Sequence, residues 1–170
     1  NGVSYSSSDG GYLDFDGSND RVDFASYVQP AQTSSTSFTW FVWVYPFQSG
    51  TDDVVMGNRA VSGGNVWTKL TPRRFEYVYP GHLNYGMAAN EWQNVCITKS
   101  GASFTYYKNG AAQITLTNAS SKDTNPFHIG GDPSYGENVQ ARISIVAVYD
   151  AALTASEVQQ NYDATKSNYV

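Results

Sequence analysis

Apolar residues recur along this chain mostly at every second position, the period of a strand with one buried face. Leu13 and Phe15 alternate with Asp14 and Asp16, and Val22 and Phe24 alternate with Arg21 and Asp23. Between the two runs lies Gly17-Ser18-Asn19-Asp20, a turn by composition, so a hairpin is expected near the N-terminus. Residues 37–45 predict a longer strand closed by Pro46. Phe38, Trp40, Val42 and Val44 fall on one side of it, and Phe41, Trp43 and Tyr45 on the other. A strand apolar on both faces is expected to be covered on both. Residues 53–56, 75–79, 92–98, 127–129 and 142–149 predict further strands, and 104–108 and 111–116 flank Asn109-Gly110, a strong hairpin signal.

The tail changes period. Thr154-Ala155-Ser156-Glu157 fits a capping box, and Ala155, Val158 and Tyr162 share one helical face, so a short helix is expected over residues 155–164. Many short strands followed by one helix imply an all-β fold: a two-sheet antiparallel β-sandwich of jelly-roll type with a short C-terminal helix. The 170 residues suit a single domain spanning 1–170, with 1–10 and 166–170 as candidate linker ends. The sequence opens on Asn1 rather than Met, which suggests a module of a longer parent.

Composition agrees with strands: aromatics are 15% of residues, with 13 Tyr, 8 Phe and 4 Trp. Hydrophobic residues at 41% against 15% charged argue against disorder. A formal net charge of −5 disfavours nucleic acid as a partner, and no apolar run is long enough to insert into a membrane. Cys96 is the single cysteine, so an internal disulfide is excluded, and its apolar neighbours Val95 and Ile97 mark it as a core residue. His82 and His128 are far apart in sequence, and the chain carries no His-Glu-x-x-His, Gly-x-Ser-x-Gly or phosphate-loop motif, so no catalysis is expected.

Four segments in order resemble the laminin-G-like, concanavalin A-like lectin/glucanase jelly roll. They are Leu13-Asp14-Phe15-Asp16-Gly17-Ser18-Asn19-Asp20, Ser37-Phe38-Thr39-Trp40-Phe41-Val42-Trp43, Glu91-Trp92-Gln93-Asn94-Val95 with Tyr106-Tyr107-Lys108-Asn109-Gly110, and residues 143–149 leading into 152–158. The ending 157–166 also resembles such domains in bacteriophage virion proteins. The resemblance implies a non-catalytic module for carbohydrate binding or adhesion, at an extracellular or virion surface. Its expected partners are a glycan or host-surface polysaccharide, and other subunits of a virion or surface assembly. The alternatives are a purely structural decoration domain that docks to protein, and a glycan-active hydrolase. Against the latter, the Glu-x-Asp-x-x-Glu strand of the family's glucanases is absent.

The resemblance also implies calcium as a possible cofactor. Asp16, Asn19, Asp20 and Asp150 are its candidate ligands, with Asp52, Asp53 and Asp132 as further candidates, on the expectation that the first and last strands pair and bring Asp16 near Asp150. The Asp-Glu pair common in the family's penultimate strand is replaced here by Ser144-Ile145. For a sugar, an aromatic platform with polar neighbours is the expected chemistry. Relatives more often carry a Lys at the Tyr45 position, which makes Tyr45 a candidate, extended by Tyr77 and Tyr79 if their strand adjoins. The glycine-framed loop 130–138 offers Asp132, Tyr135 and Asn138, and Arg74, beside Arg73, is a candidate grip for an acidic group.

Overall fold

A computed structural model describes residues 2–25, 36–58, 68–77, 81–117 and 126–170. The strands are β1 (Ser4–Ser6), β2 (Tyr12–Asp16), β3 (Val22–Asp23), β4 (Phe38–Pro46), β5 (Met56–Asn58), β6 (Thr68–Leu70) and β7 (Arg74–Tyr77). They continue as β8 (Gly81–Asn84), β9 (Gln93–Ser100), β10 (Ser103–Lys108), β11 (Ala111–Thr117), β12 (His128–Ile129) and β13 (Gln140–Tyr149). Helix α1 (Ala155–Thr165) and a 3₁₀ turn (Lys166–Asn168) end the chain. One sheet has seven strands in the order β1-β2-β13-β4-β9-β10-β11, the other six in the order β3-β12-β5-β6-β7-β8. Every strand pairing is antiparallel, and the long crossovers are those of a jelly roll.

The two faces of β4 do what its double alternation requires. Phe38, Trp40, Val42 and Val44 enter the core between the sheets, where Trp40 meets Phe75 and Phe127 edge-on at 5.7 and 5.5 Å. Phe41 and Trp43 lie on the outer face, where Cys96, Tyr107, Val158 and Tyr169 bury them beneath α1 and the C-terminus. Cys96 is thus the small buried residue its neighbours suggested, and burial pushes its thiol well above the usual range. The capping box of α1 forms, with the Glu157 amide donating to Thr154 Oγ1 at 3.3 Å and the Thr154 amide to Glu157 Oε2 at 2.7 Å.

One expectation changes. Residues 13–24 do not form a hairpin: β2 joins β13 in the seven-stranded sheet, whereas β3 joins β12 in the other. The turn at 17–20 is real, with the Ser18 amide donating to Asp16 Oδ1 at 2.7 Å, but it carries the chain from one sheet to the other. Phe15 and Val22 then both point into the sandwich, and the alternation reads the same either way. The N-terminal segment contributes β1, paired with β2 from Ser4 opposite Asp14 to Ser6 opposite Tyr12. The C-terminal segment carries Tyr169, whose ring stacks on Trp43 at 4.3 Å and whose hydroxyl meets Ser144 Oγ at 2.7 Å.

Candidate binding site

On the outer face of the seven-stranded sheet, beside the area that α1 covers, an arginine organises the remaining aromatic rings. Asp14, Arg142 and Tyr45 are direct neighbours across β2, β13 and β4. The Arg142 guanidinium carbon lies 5.2 Å from the Tyr12 ring, 5.2 Å from Tyr45 and 5.3 Å from Phe47, within cation–π reach of all three. Asp14 Oδ2 is 3.8 Å from its Nε. Trp92 closes the group, 5.8 Å from both Tyr12 and Tyr45. All four residues are half-buried.

The same strands carry this patch into a polar cleft. Residues two apart on a strand share a face about 7 Å apart. Asp16 and Gln140, opposite each other, therefore continue the row of Asp14 and Arg142, and the Phe47 amide donates to the Gln140 carbonyl at 3.0 Å. Beyond them opens a cleft of about 200 Å³ walled by Asp16, Gln48, Thr51, Asp53, Asn138 and Gln140.

The loop 130–139 forms one wall, and its geometry reassigns two expected residues. Gly130 has φ +87°, and a Cβ there would stand 2.1 Å from the Phe15 ring, so glycine is required where the loop leaves β12. Asp132 is buried, and its carboxylate accepts the amides of Ser134 at 2.8 Å, Tyr135 at 2.5 Å and Glu137 at 3.3 Å. It shapes the loop, with both carboxylate oxygens engaged by backbone amides. Asn138 lines the cleft as a wall already tied down, its Nδ2 donating to the Ser18 carbonyl at 2.7 Å. Tyr135 stands exposed on the loop next to Gly136, which also lines the cleft.

The other expected contacts fall elsewhere. Tyr45 belongs to the aromatic patch. Tyr77 is 1% exposed, 4.0 Å from the Phe104 ring, and burial raises its hydroxyl to about 12, so it is a core residue with no surface to offer a ligand. Tyr79 lies outside the described residues. Arg74 points from the opposite sheet, where Glu76 Oε1 at 2.7 Å and Asp52 at 3.3 Å take up its charge. The acids named for calcium do not gather. Asp20 Oδ2 accepts the Asp16 amide at 3.2 Å, Asn19 is exposed on the turn, and Asp150 lies at the other end of β13. Of those four residues Asp16 alone lines the cleft, where Asp53 joins it. Among the described residues no three His, Cys, Asp or Glu side chains converge as a metal site.

Sequence reasoning missed Tyr12, Phe47, Trp92 and Arg142. The available signal was parity: Asp14, Arg142 and Tyr45 all occupy outward positions of their strands. Which outward positions become neighbours is set by register, which the sequence does not print.

A two-sheet antiparallel jelly-roll sandwich is the class of domain in hand. The chain belongs to the concanavalin A-like lectin/glucanases superfamily, whose laminin-G-type family model matches residues 16–159. Among curated proteins no sequence match was found. Among solved structures, domain 4 of AbnA, an extracellular arabinanase from Geobacillus stearothermophilus solved with arabinotriose, is similar with a TM-score of 0.77 and 16% identity, over 93% of this chain and 80% of that one. The heptameric pentraxin of Limulus polyphemus follows at a TM-score of 0.61 and 15% identity, over 86% of this chain and 78% of that one. The binding domain of Paraclostridial Mosquitocidal Protein 1 is similar at a TM-score of 0.70 and 14% identity; this chain is covered over 95% but spans only 45% of it. At such identities the likeness is one of fold. Among the described residues no helix is long and apolar enough to cross a membrane.

Proposed function

We propose that this chain is a non-catalytic carbohydrate-binding module whose ligand lies along the Tyr12, Tyr45, Phe47 and Trp92 patch. The observation that carries the reading is the Arg142 guanidinium held 5.2–5.3 Å from three half-buried rings. Sugars present apolar C–H faces rimmed by hydroxyls, and such a patch offers ring faces beside polar groups on a rigid sheet. Support from outside the chain comes from its family and from the arabinotriose complex of the arabinanase domain. Displayed at an extracellular or virion surface, such a module would hold its carrier against polysaccharide.

A glycan array probed in calcium and in EDTA tests the reading, with Tyr45→Ala and Phe47→Ala measured by calorimetry on the best binder. Each variant is expected to bind at least ~10-fold more weakly, about 1.4 kcal/mol, while its far-ultraviolet spectrum stays native. A blank array in both buffers, or unchanged binding by both variants, sinks the proposal. Release of reducing ends from any bound glycan would instead favour the hydrolase reading.

A further inference from the structure

We propose that the cleft at the end of the aromatic patch is an end-group subsite for an uncharged, hydroxyl-rich sugar residue, closed to anionic ones; the inference rests on the carbohydrate reading above. The cleft is small, about 200 Å³, which suits one sugar ring better than a branched group. Its wall mixes two kinds of polar group. Asp16 and Asp53 only accept when ionised, whereas the amides of Gln48, Asn138 and Gln140 donate and accept and Thr51 does both. A sugar hydroxyl is at once donor and acceptor, so it can bridge a carboxylate and an amide. A carboxylate or sulfate brings acceptors only, and the two aspartates face it with like charge.

Among the described residues no lining residue carries a positive charge, and the cations Lys69, Arg73, Arg74 and Arg142 are engaged elsewhere. Lys69 Nζ bonds Glu137 Oε2 at 2.8 Å and the Asp52 carbonyl at 3.0 Å. Arg73 meets Asp52 at 3.2 Å, Arg74 meets Asp52 and Glu76, and Arg142 is held among its rings and Asp14. The walls are also fixed in advance. Asp16 Oδ1 accepts the Ser18 amide, Asn138 holds the Ser18 carbonyl, and Asp132 ties down the loop that supplies Gly136 and Asn138. A prepositioned wall spends little ordering free energy on its ligand. Because Asp16 and Gln140 continue the row of Asp14 and Arg142, a chain stacked on the rings runs on into the cleft.

Side-chain amide signals of Gln48, Asn138 and Gln140 report the cleft by NMR, and the Trp92 indole reports the patch. The full chain is titrated with arabinotriose, cellotriose and maltotriose, and with trigalacturonate as an anionic trimer. At least one neutral trimer is expected to move both sets of signals, and trigalacturonate to bind at least ~10-fold more weakly in low salt, with the gap narrowing as salt screens the aspartates. In Asp16→Asn and Asp53→Asn, near-isosteric changes, the neutral trimer is expected to weaken several-fold and the preference over trigalacturonate to shrink. If the indole shifts while the three amides stay still, or if trigalacturonate binds as tightly as the neutral trimers, the subsite is overturned and the patch reading survives. If neither set of signals responds to any trimer, both fall together.

Discussion

Asp132 is the residue at which a functional expectation met a structural role. In a glycine-framed loop an aspartate is equally a ligand contact and a turn former, because its carboxylate can face outward or bond the backbone that follows. Here it accepts three amides while 3% exposed. Asp132→Ala is therefore expected to cost about 1.5–3 kcal/mol in denaturant unfolding, the range for hydrogen bonds to a charged group. Tyr135→Ala, at an exposed tip, is expected to stay within about 0.5 kcal/mol of the parent. Equal stability of the two variants would refute the assignment. Tyr77 and Arg74 teach the complementary lesson. They sit three apart on β7, an odd spacing, so they must face opposite sides of the sheet and cannot share a ligand. That much was readable. The neighbours of Tyr45 were not, because Arg142 comes from a strand remote in sequence whose register depends on the whole sheet.

At the scale of elements, the terminal helix was legible and its continuation was not. The capping box and the Val158–Tyr162 face placed α1 to within a residue. The last five residues were expected as a linker end, yet after α1 Tyr169 is brought by the 3₁₀ turn Lys166–Asn168 into the buried cluster of Val158 and Trp43. It stacks on Trp43, touches Trp92 at 5.0 Å and shares a hydrogen bond with Ser144, which also donates to the Gly11 carbonyl. Ser144, at a position where the family often carries an acid, thereby joins the two chain ends. Removing the ring by Tyr169→Ala is expected to cost about 3 kcal/mol and to red-shift tryptophan emission as Trp43 meets water. Tyr169→Phe is expected to lose about 1 kcal/mol with emission unchanged. A wild-type spectrum in the alanine variant would mean that the tail does not cover Trp43.

The cap gives the same element a pH signature. Hydrogen bonds from the Thr154 amide and hydroxyl hold the Glu157 carboxyl below its ordinary value. A group depressed by folding stabilises the native state fully above its unfolded value, near 4.5, and loses that contribution as pH falls through the lower folded value. Thermal midpoints of the parent and Glu157→Gln are accordingly expected to differ at pH 7 and to converge toward pH 3. A difference that persists undiminished in acid would remove the carboxylate from the cap.

At the scale of the whole molecule, the resemblance carried the pairing of the first and last long strands but not which ends of them meet. The first and last long strands do pair, as the resemblance implied. They run antiparallel, with Asp16 opposite Gln140, so Asp150 lies ten residues further along β13, roughly 30 Å away at about 3.3 Å per residue. The acids that seemed one calcium site are thus divided between two ends of the sandwich, and the partner that Asp16 finds is Asp53, from the segment just before β5. A cation bound by the native state alone raises the thermal midpoint by mass action, so calcium titration by calorimetry can read this arrangement directly. Asp150→Asn is expected to leave both the midpoint and its response to calcium equal to those of the parent. Asp16→Asn or Asp53→Asn is expected to abolish whatever response the parent shows. Loss of a calcium response on changing Asp150 alone would contradict the strand register itself, because no antiparallel pairing that sets Asp16 against Gln140 can bring Asp150 to the cleft.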